Sequence, residues 1–358
     1  MKSLLLVLGL SITLLCSCHG ENESTMSHQF PTEISLKFGI ADSDRLWVFA
    51  SKTPLYDPGK PIQMDSEYVC YQLDSSARLL RESVLGIGAL RAVDMDGGEG
   101  LALIVGGLQS GNPKSTLYLT IDSGKSWMAA KVLPGAAVGA AFFGQHKVGV
   151  WTEKQVFLTE DGGRSWSEIQ SSAVQLDFNR VKVPVAISAT SGVPLVGIEY
   201  NSDSRKTCSR LGVLSTNGQF AERLRVDGQV IDMSRDGKGT LWLLVLEESE
   251  KPKTKLLAVD NLLGDVRSRV VREIPGSIPK GVSVIGDTVL FLYAKWVVGS
   301  RMPLVAETGA STALKDEVTW RVVDFEGLKP NEVFFDLNKG VWLYTKADNR
   351  LSYQKWRD

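Results

Sequence analysis

Cysteine and histidine are scarce in this chain: 358 residues carry four cysteines and three histidines. Two cysteines, Cys16 and Cys18, lie near the start, so only Cys70 and Cys208 remain for the rest of the chain. That excludes a small fold stapled by disulfides. His19, His28 and His146 are too scattered to build a zinc cluster, and neither a metal nor any other cofactor is expected. Excess charge is missing as well. Lys and Arg number 40 against 41 Asp and Glu, a formal net charge of −1, which removes the electrostatic case for a nucleic-acid partner. Beyond the first twenty residues, no long segment spaces its apolar residues as a helix would.

What is present begins at the N-terminus. Lys2 precedes an apolar-dominated run from Leu4 to Leu15. Twelve such residues are too short to span a bilayer as a helix, yet they suit the core of a secretory signal peptide over residues 1–17. The run ends in Leu15-Cys16-Ser17-Cys18, which resembles the lipobox of bacterial lipoproteins. The resemblance implies that Cys18 becomes the lipid-modified first residue of the mature chain, and several acyl chains anchor stably where one is marginal. His19 is not the residue that retains such proteins in the inner membrane, so the outer membrane or cell surface is the expected location. Residues 18–31, rich in Glu, Asn, Ser and Thr, are expected to be a flexible tether.

The remainder repeats. Apolar, β-branched and aromatic strands centre on Trp47, Ile104, Val150, Val196, Trp242, Phe291 and Trp342, with gaps of 57, 46, 46, 46, 49 and 51 residues. Most copies have a short apolar segment before them and a further strand after. Four short strands per repeat predict an all-β fold, a seven-bladed β-propeller of four-stranded antiparallel blades over residues 32–358. The last repeat stops soon after its third strand, so residues near Gln29–Thr32 are candidates to close the ring. Cys70 and Cys208 fall on blades far apart, beyond the ~7 Å α-carbon reach of a disulfide, so no bridge between them is expected. The tryptophans of the repeated strands (Trp47, Trp151, Trp242 and Trp342) are expected to be packing residues.

Two turns carry a sharper mark. Thr120-Ile121-Asp122-Ser123-Gly124-Lys125-Ser126-Trp127 and Thr159-Glu160-Asp161-Gly162-Gly163-Arg164-Ser165-Trp166 share the form Thr-x-Asp-x-Gly-x-Ser-Trp, 39 residues apart. Asp and Thr side chains bond a turn's own backbone, and Gly supplies positive φ. The pattern resembles the Asp-box, or bacterial neuraminidase repeat, of sialidase-like and photosystem II assembly-factor propellers. Ser215-Thr216-Asn217-Gly218-Gln219-Phe220 is a degenerate third copy. In those families the motif lies away from the ligand, which assigns Thr120, Asp122, Gly124, Trp127, Thr159, Asp161, Gly163 and Trp166 to turn stability.

Catalysis is poorly provided for. Sialidases clamp a carboxylate with arginines, use a Tyr–Glu pair and an acid/base Asp, and share an Arg-Ile-Pro segment. The nearest strings here are Glu273-Ile274-Pro275 and Arg301-Met302-Pro303. Asp94-Met95-Asp96-Gly97-Gly98-Glu99-Gly100 resembles a calcium-loop fragment with too few oxygen ligands, and a Gly-rich hairpin explains it better. Glu247–Lys255 is a charge run, expected to be a solvated loop. The expected function is therefore non-enzymatic: a monomeric envelope lipoprotein whose propeller binds a protein or a glycan. The alternatives are a sialidase-like or other glycan-active hydrolase, and a structural or inhibitory partner of one protein.

Binding is expected on the face of the loops between second and third strands. Those loops hold 13 basic against 9 acidic residues, a small excess. Tyr56 in Ser51–Glu67, and Trp296 and Arg301 in the loop from Lys295, are the candidate contact residues, since Trp, Tyr and Arg dominate binding hot spots.

Overall fold

A computed structural model of the chain describes residues 26–355, apart from 32–33, 43–44, 53–65, 97, 109, 153–154, 171–180, 183–192, 202–205, 215–218, 237, 263, 286–287, 296–303, 311–319, 323–331, 337–339 and 346–348. Among the described residues there are strands and no helix. After a short strand β1 (Ser27–Gln29), antiparallel strands follow one another in quartets. Quartet A is β2 (Ile34–Asp42), β3 (Arg45–Lys52), β4 (Ser66–Asp74) and the first part of β5 (Leu79–Asp96). Quartet B is the rest of β5, β6 (Glu99–Gly106), β7 (Lys114–Thr120) and β8 (Met128–Pro134). Because β5 pairs with β4 up to Gly88 and with β6 from Ala89, quartets A and B form one seven-stranded sheet.

The other sheets are four-stranded. Quartet C is β9 (Ala137–Gly144), β10 (Lys147–Thr152), β11 (Gln155–Thr159) and β12 (Ser167–Gln170). Quartet D is β13 (Val181–Lys182), β14 (Val193–Asn201), β15 (Lys206–Leu214) and β16 (Phe220–Asp227). Quartet E is β17 (Gln229–Arg235), β18 (Leu241–Glu247), β19 (Lys253–Asp260) and β20 (Arg267–Pro275). Quartet F is β21 (Ser277–Ile285), β22 (Thr288–Lys295), β23 (Leu304–Ala310) and β24 (Arg321–Val322). Quartet G is β25 (Glu332–Asp336), β26 (Gly340–Thr345), β27 (Arg350–Lys355) and β1.

Each repeated strand found in the sequence is the second strand of its quartet, and its apolar run is continuous because both faces are buried. In β3, Leu46, Val48 and Ala50 enter one cluster, shared with Trp342 of quartet G. Trp47 and Phe49 enter another, with Leu85, Ala102 and Ile104. In β18, Leu241, Leu243 and Val245 join Leu211 of quartet D, while Trp242 and Leu244 join Phe291 of quartet F. Sheets therefore stack face on face, each side chain alternating between two neighbouring cores. Trp47, Trp151, Trp242 and Trp342 are all buried, as the repeat requires. Each buried side chain of this size stabilises by about 1.5–3 kcal/mol. Outer strands are polar: β20 alternates exposed and half-buried residues throughout.

The N-terminal boundary differs from expectation. Residues 26–31, assigned to the tether, belong to the fold. Ser27, His28 and Gln29 pair with Ser352, Leu351 and Arg350. Phe30 is buried and meets Tyr71 edge-on at 5.2 Å. Asn349 rivets the junction, its Nδ2 donating to Ile34 O (3.1 Å) and Phe30 O (3.3 Å), while its Oδ1 accepts from Tyr344 Oη (2.6 Å). The outer strand of quartet G is thus supplied by residues 27–29, slightly before the Gln29–Thr32 stretch proposed from sequence. Cys70 in β4 and Cys208 in β15 are both thiols, and burial pushes the Cys70 thiol far above its ordinary range.

Candidate functional site

The quartets present two unlike faces. On one, first-to-second hairpins lie beside third-to-fourth turns: Ser123 N donates to Gly98 O (2.7 Å) and Gly162 N to His146 O (2.9 Å). On the other, second-to-third loops lie beside the connections between quartets. There Gly135 N donates to Pro113 O (2.9 Å), Gly228 N to Thr207 O (2.8 Å) and Ser277 N to Pro252 O (3.0 Å). Buried hydroxyls reinforce two of these connections. Ser115 Oγ accepts from Ala137 N (2.7 Å) and donates to Gly135 O (2.8 Å); Ser209 Oγ does the same for Val230 N and Gly228 O (2.9 Å each).

The two Thr-x-Asp-x-Gly-x-Ser-Trp turns occupy the first face. Thr120 Oγ1 donates to Asp122 Oδ1 (2.8 Å) and accepts from Gly124 N (3.0 Å). Asp122 Oδ1 accepts from Ser126 N (2.9 Å), and Oδ2 from Ser126 Oγ (2.6 Å). Thr159, Asp161, Gly163 and Ser165 repeat the pattern at 2.8, 2.8, 2.9 and 2.6 Å. Burial alone would raise the Asp122 pKa, but bonds from Ser126, Thr120 and Lys125 outweigh it and hold the carboxyl at about 2. Asp161 is held at about 2 by Ser165 and Thr159.

Both turns grip the preceding quartet. Ser123 O accepts from Trp47 Nε1 (3.1 Å) and Gln72 Nε2 (3.2 Å) of quartet A. Gly124 sits at φ +76°, and a Cβ there would lie 2.8 Å from Trp47 Nε1, so no other residue fits without displacing that indole. Trp127 packs edge-on to Phe49 at 5.8 Å, and Trp166 Nε1 donates to Gly163 O at 3.0 Å. Each carboxylate oxygen of Asp122 and Asp161 accepts at least one bond within its own turn.

A Tyr–Glu–Arg cluster links quartets E and F. Tyr293 Oη donates to Glu307 Oε1 (2.8 Å), and Arg272 Nη2 meets Glu307 Oε2 at 3.0 Å. Burial, then the bond to Glu307, drive the Tyr293 pKa upward, which keeps the phenol protonated. This cluster locks two sheets together.

A groove opens on the loop face between quartets A and B. It encloses about 260 Å³, lined by Ile87 of β5, Ile104 of β6, Asn112 of the β6–β7 loop, and Lys114, Thr116 and Tyr118 of β7. Lys114, Thr116 and Tyr118 alternate along one face of their strand. Gly86 lets Tyr118 pack closely across from β5: a Cβ there would lie 2.8 Å from Tyr118 Oη. Burial raises the Tyr118 phenol, so it is neutral at physiological pH. Ile87 is 54% exposed and Leu108, in the adjoining loop, 40%. Among the described residues, Lys114 and Tyr118 have no ion pair or side-chain hydrogen bond.

Cys18, Tyr56, Trp296 and Arg301 lie outside the described residues, as do positions 215–218 of the degenerate turn. The Asp94–Gly100 segment forms the β5–β6 hairpin, with Asp96 opposite Glu99. In the charge run at Glu247–Lys255, residues 248–252 form the largely exposed β18–β19 loop, as expected, and Glu247 and residues 253–255 lie in the flanking strands. Glu247 pairs across to Lys253, and Lys253 and Lys255 meet Glu273 at 3.5 and 3.7 Å, because alternating charges on adjacent strands neutralise one another.

No model of a protein family matches the chain, and no curated protein does. Among solved structures it is similar to the Drosophila Plexin A complex with Semaphorin 1b, at 8% identity and a TM-score of 0.54, over 92% of this chain and 87% of that one. It is also similar to the extracellular domain of the putative one component system BT4673 from B. thetaiotaomicron, at 10% identity and a TM-score of 0.51, over 93% of this chain but only 40% of that one. The β-propeller domain of the Trilobed protease from Pyrococcus furiosus matches at 9% identity and a TM-score of 0.46, over 80% of this chain and 97% of that one. At such identities the likeness is one of fold alone, and the described residues form an all-β fold.

Proposed function

We propose that this chain is an exported, lipid-anchored binding protein, a seven-bladed propeller of Asp-box type that holds a protein partner on its loop face. On this reading quartets A to G are the blades, and the pairing of β1 with β27 supports closure of the ring. The observation that carries the reading is the groove between quartets A and B. A groove lined by exposed Ile87, with exposed Leu108 in the adjoining loop, a Lys114 that has no ion pair among the described residues and a neutral Tyr118, has the mixed character of an interface anchor. Propeller folds serve protein binding elsewhere, the plexin–semaphorin complex being one case. A glycan is the other ligand class suited to an aromatic and hydroxyl-lined groove. The hydrolase alternative lacks the Arg-Ile-Pro segment in the sequence.

Export and anchoring rest on Cys18 and the apolar run before it. The test has two arms. Cys18→Ala is expected to abolish labelling by radioactive palmitate and to release the protein from the membrane fraction; retention of both sinks the anchor. A photo-crosslinking residue placed at Leu108 is expected to capture one protein from intact envelopes, with capture lost in Tyr118→Ala. Capture that survives Tyr118→Ala removes the groove from the interface, and a glycan-array signal with no protein captured favours the glycan.

A further inference from the structure

The first strand of a quartet has one free edge, since only the second strand pairs with it. In quartets A, B, E and F that strand carries a β-bulge at one level. The bulge skips Lys37 between Leu36 and Phe38, Arg91 between Leu90 and Ala92, Ile231 between Val230 and Asp232, and Lys280 between Pro279 and Gly281. In all four the bulge faces the residues two and three positions before the end of the second strand. These are Phe49 and Ala50 before Lys52, Leu103 and Ile104 before Gly106, Leu244 and Val245 before Glu247, and Leu292 and Tyr293 before Lys295. The bulges therefore share one height, close to the loop face.

A bulge re-aims side chains. Leu90 packs into the core between quartets A and B, and Ala92 into the core between B and C. Residues flanking Arg91 thus serve opposite faces of the sheet, and the exposed Arg91 between them belongs to neither core. Lys37, Arg91 and Lys280 are all exposed, although the other described residues of β2, of β21 and of the part of β5 that pairs with β6 are half-buried or buried. Among the described residues none of the three has an ion pair or side-chain hydrogen bond. The acids described on first strands are engaged elsewhere: Asp94 Oδ1 accepts from Met95 N (2.9 Å) and Asp232 Oδ2 from Val282 N (2.8 Å). In quartet C the skipped residue is Val138, and among the described first strands the basic bulge residues are those of F, A and B.

We infer that Lys37, Arg91 and Lys280 form an oxyanion-binding site in the central channel near the loop face, for a ligand bearing carboxylate or phosphate groups. The site rests on the ring reading above, which turns the free edges of the first strands toward a common axis. Bidentate guanidinium and ammonium donors at one height suit an oxyanion with several charged oxygens.

The full-length protein in detergent is titrated calorimetrically with citrate and with pyrophosphate at low ionic strength. One site per chain is expected for at least one anion, weakening as salt is raised. Response to citrate alone identifies carboxylate as the preferred group, and response to pyrophosphate alone identifies phosphate. Arg91→Gln and Lys280→Gln each lower affinity by about tenfold, since a charge-assisted bond is worth at least that much. The triple variant with Lys37→Gln abolishes binding, and Lys114→Gln in the outer groove leaves it unchanged. Binding of neither anion, or equal binding by the triple variant, overturns the site. Small-angle scattering on the same sample separates the two levels: a profile without a compact disc sinks the ring, whereas a disc that binds neither anion sinks the channel site alone.

Discussion

The two faces spend their polar groups differently. On the turn face, Thr120, Asp122, Ser126, Thr159, Asp161 and Ser165 are bonded within their own turns. On the loop face, Lys114 and Tyr118 line an open groove without such partners. A side chain whose hydrogen-bond capacity is consumed locally fixes geometry, and one whose capacity is open meets something from solution. The same motif that makes the turns conspicuous in sequence makes them poor candidates for recognition.

The contrast can be broken or sharpened by substitution. The largest loss of stability is expected from Glu307→Ala, which strands buried Tyr293 and unpairs Arg272; about 3 kcal/mol is expected by denaturant titration. Gly124→Ala combines positive φ with a close approach to Trp47, and about 2 kcal/mol is expected. Asp122→Ala removes three acceptor contacts of a half-exposed turn for about 1–2 kcal/mol, while capture of the partner by the folded protein stays unchanged. A loss of capture in Asp122→Ala at full stability would move function to the turn face. Tyr118→Ala is expected to reverse the pattern, changing stability by less than ~0.5 kcal/mol while abolishing capture.

The smallest effect is on pH. Asp122 and Asp161 are held at about 2 in the folded chain, below the ~3.9 of an unfolded aspartate. Their contribution is complete above the unfolded value and is lost as pH falls from about 4 through 2. The denaturation midpoint is expected to stay flat above pH ~5 and to fall below pH ~4, with a shallower fall in Asp122→Asn. An equal fall in wild type and variant removes that turn as the source.

Much of this architecture was legible. Second strands such as Leu46-Trp47-Val48-Phe49 and Leu241-Trp242-Leu243-Leu244 announce themselves because a sheet buried on both faces needs an unbroken apolar run. The turn motif was legible because its chemistry is local. Ser27-His28-Gln29 was not, having no strand propensity of its own; its conformation is imposed by β27, more than three hundred residues away. In the charge run at Glu247–Lys255 the loop was legible but the ends were not, since Lys253 and Lys255 lie on β19 and meet Glu273 on a strand that the run does not contain. Gly86 and Tyr118 meet across two quartets, which no spacing reveals. The bulged cations did leave a trace: Leu36-Lys37-Phe38 and Leu90-Arg91-Ala92 each set one basic residue inside an apolar stretch.

The pairing of β1 with β27 has a practical consequence for where the chain tolerates trimming. A protein begun at residue 32 would lack the outermost ribbon of quartet G and the ring of Phe30 wedged against Tyr71. The bare margin of β27 would then offer its backbone to another copy, so such a shortened form is expected to self-associate where one begun before Met26 stays dispersed.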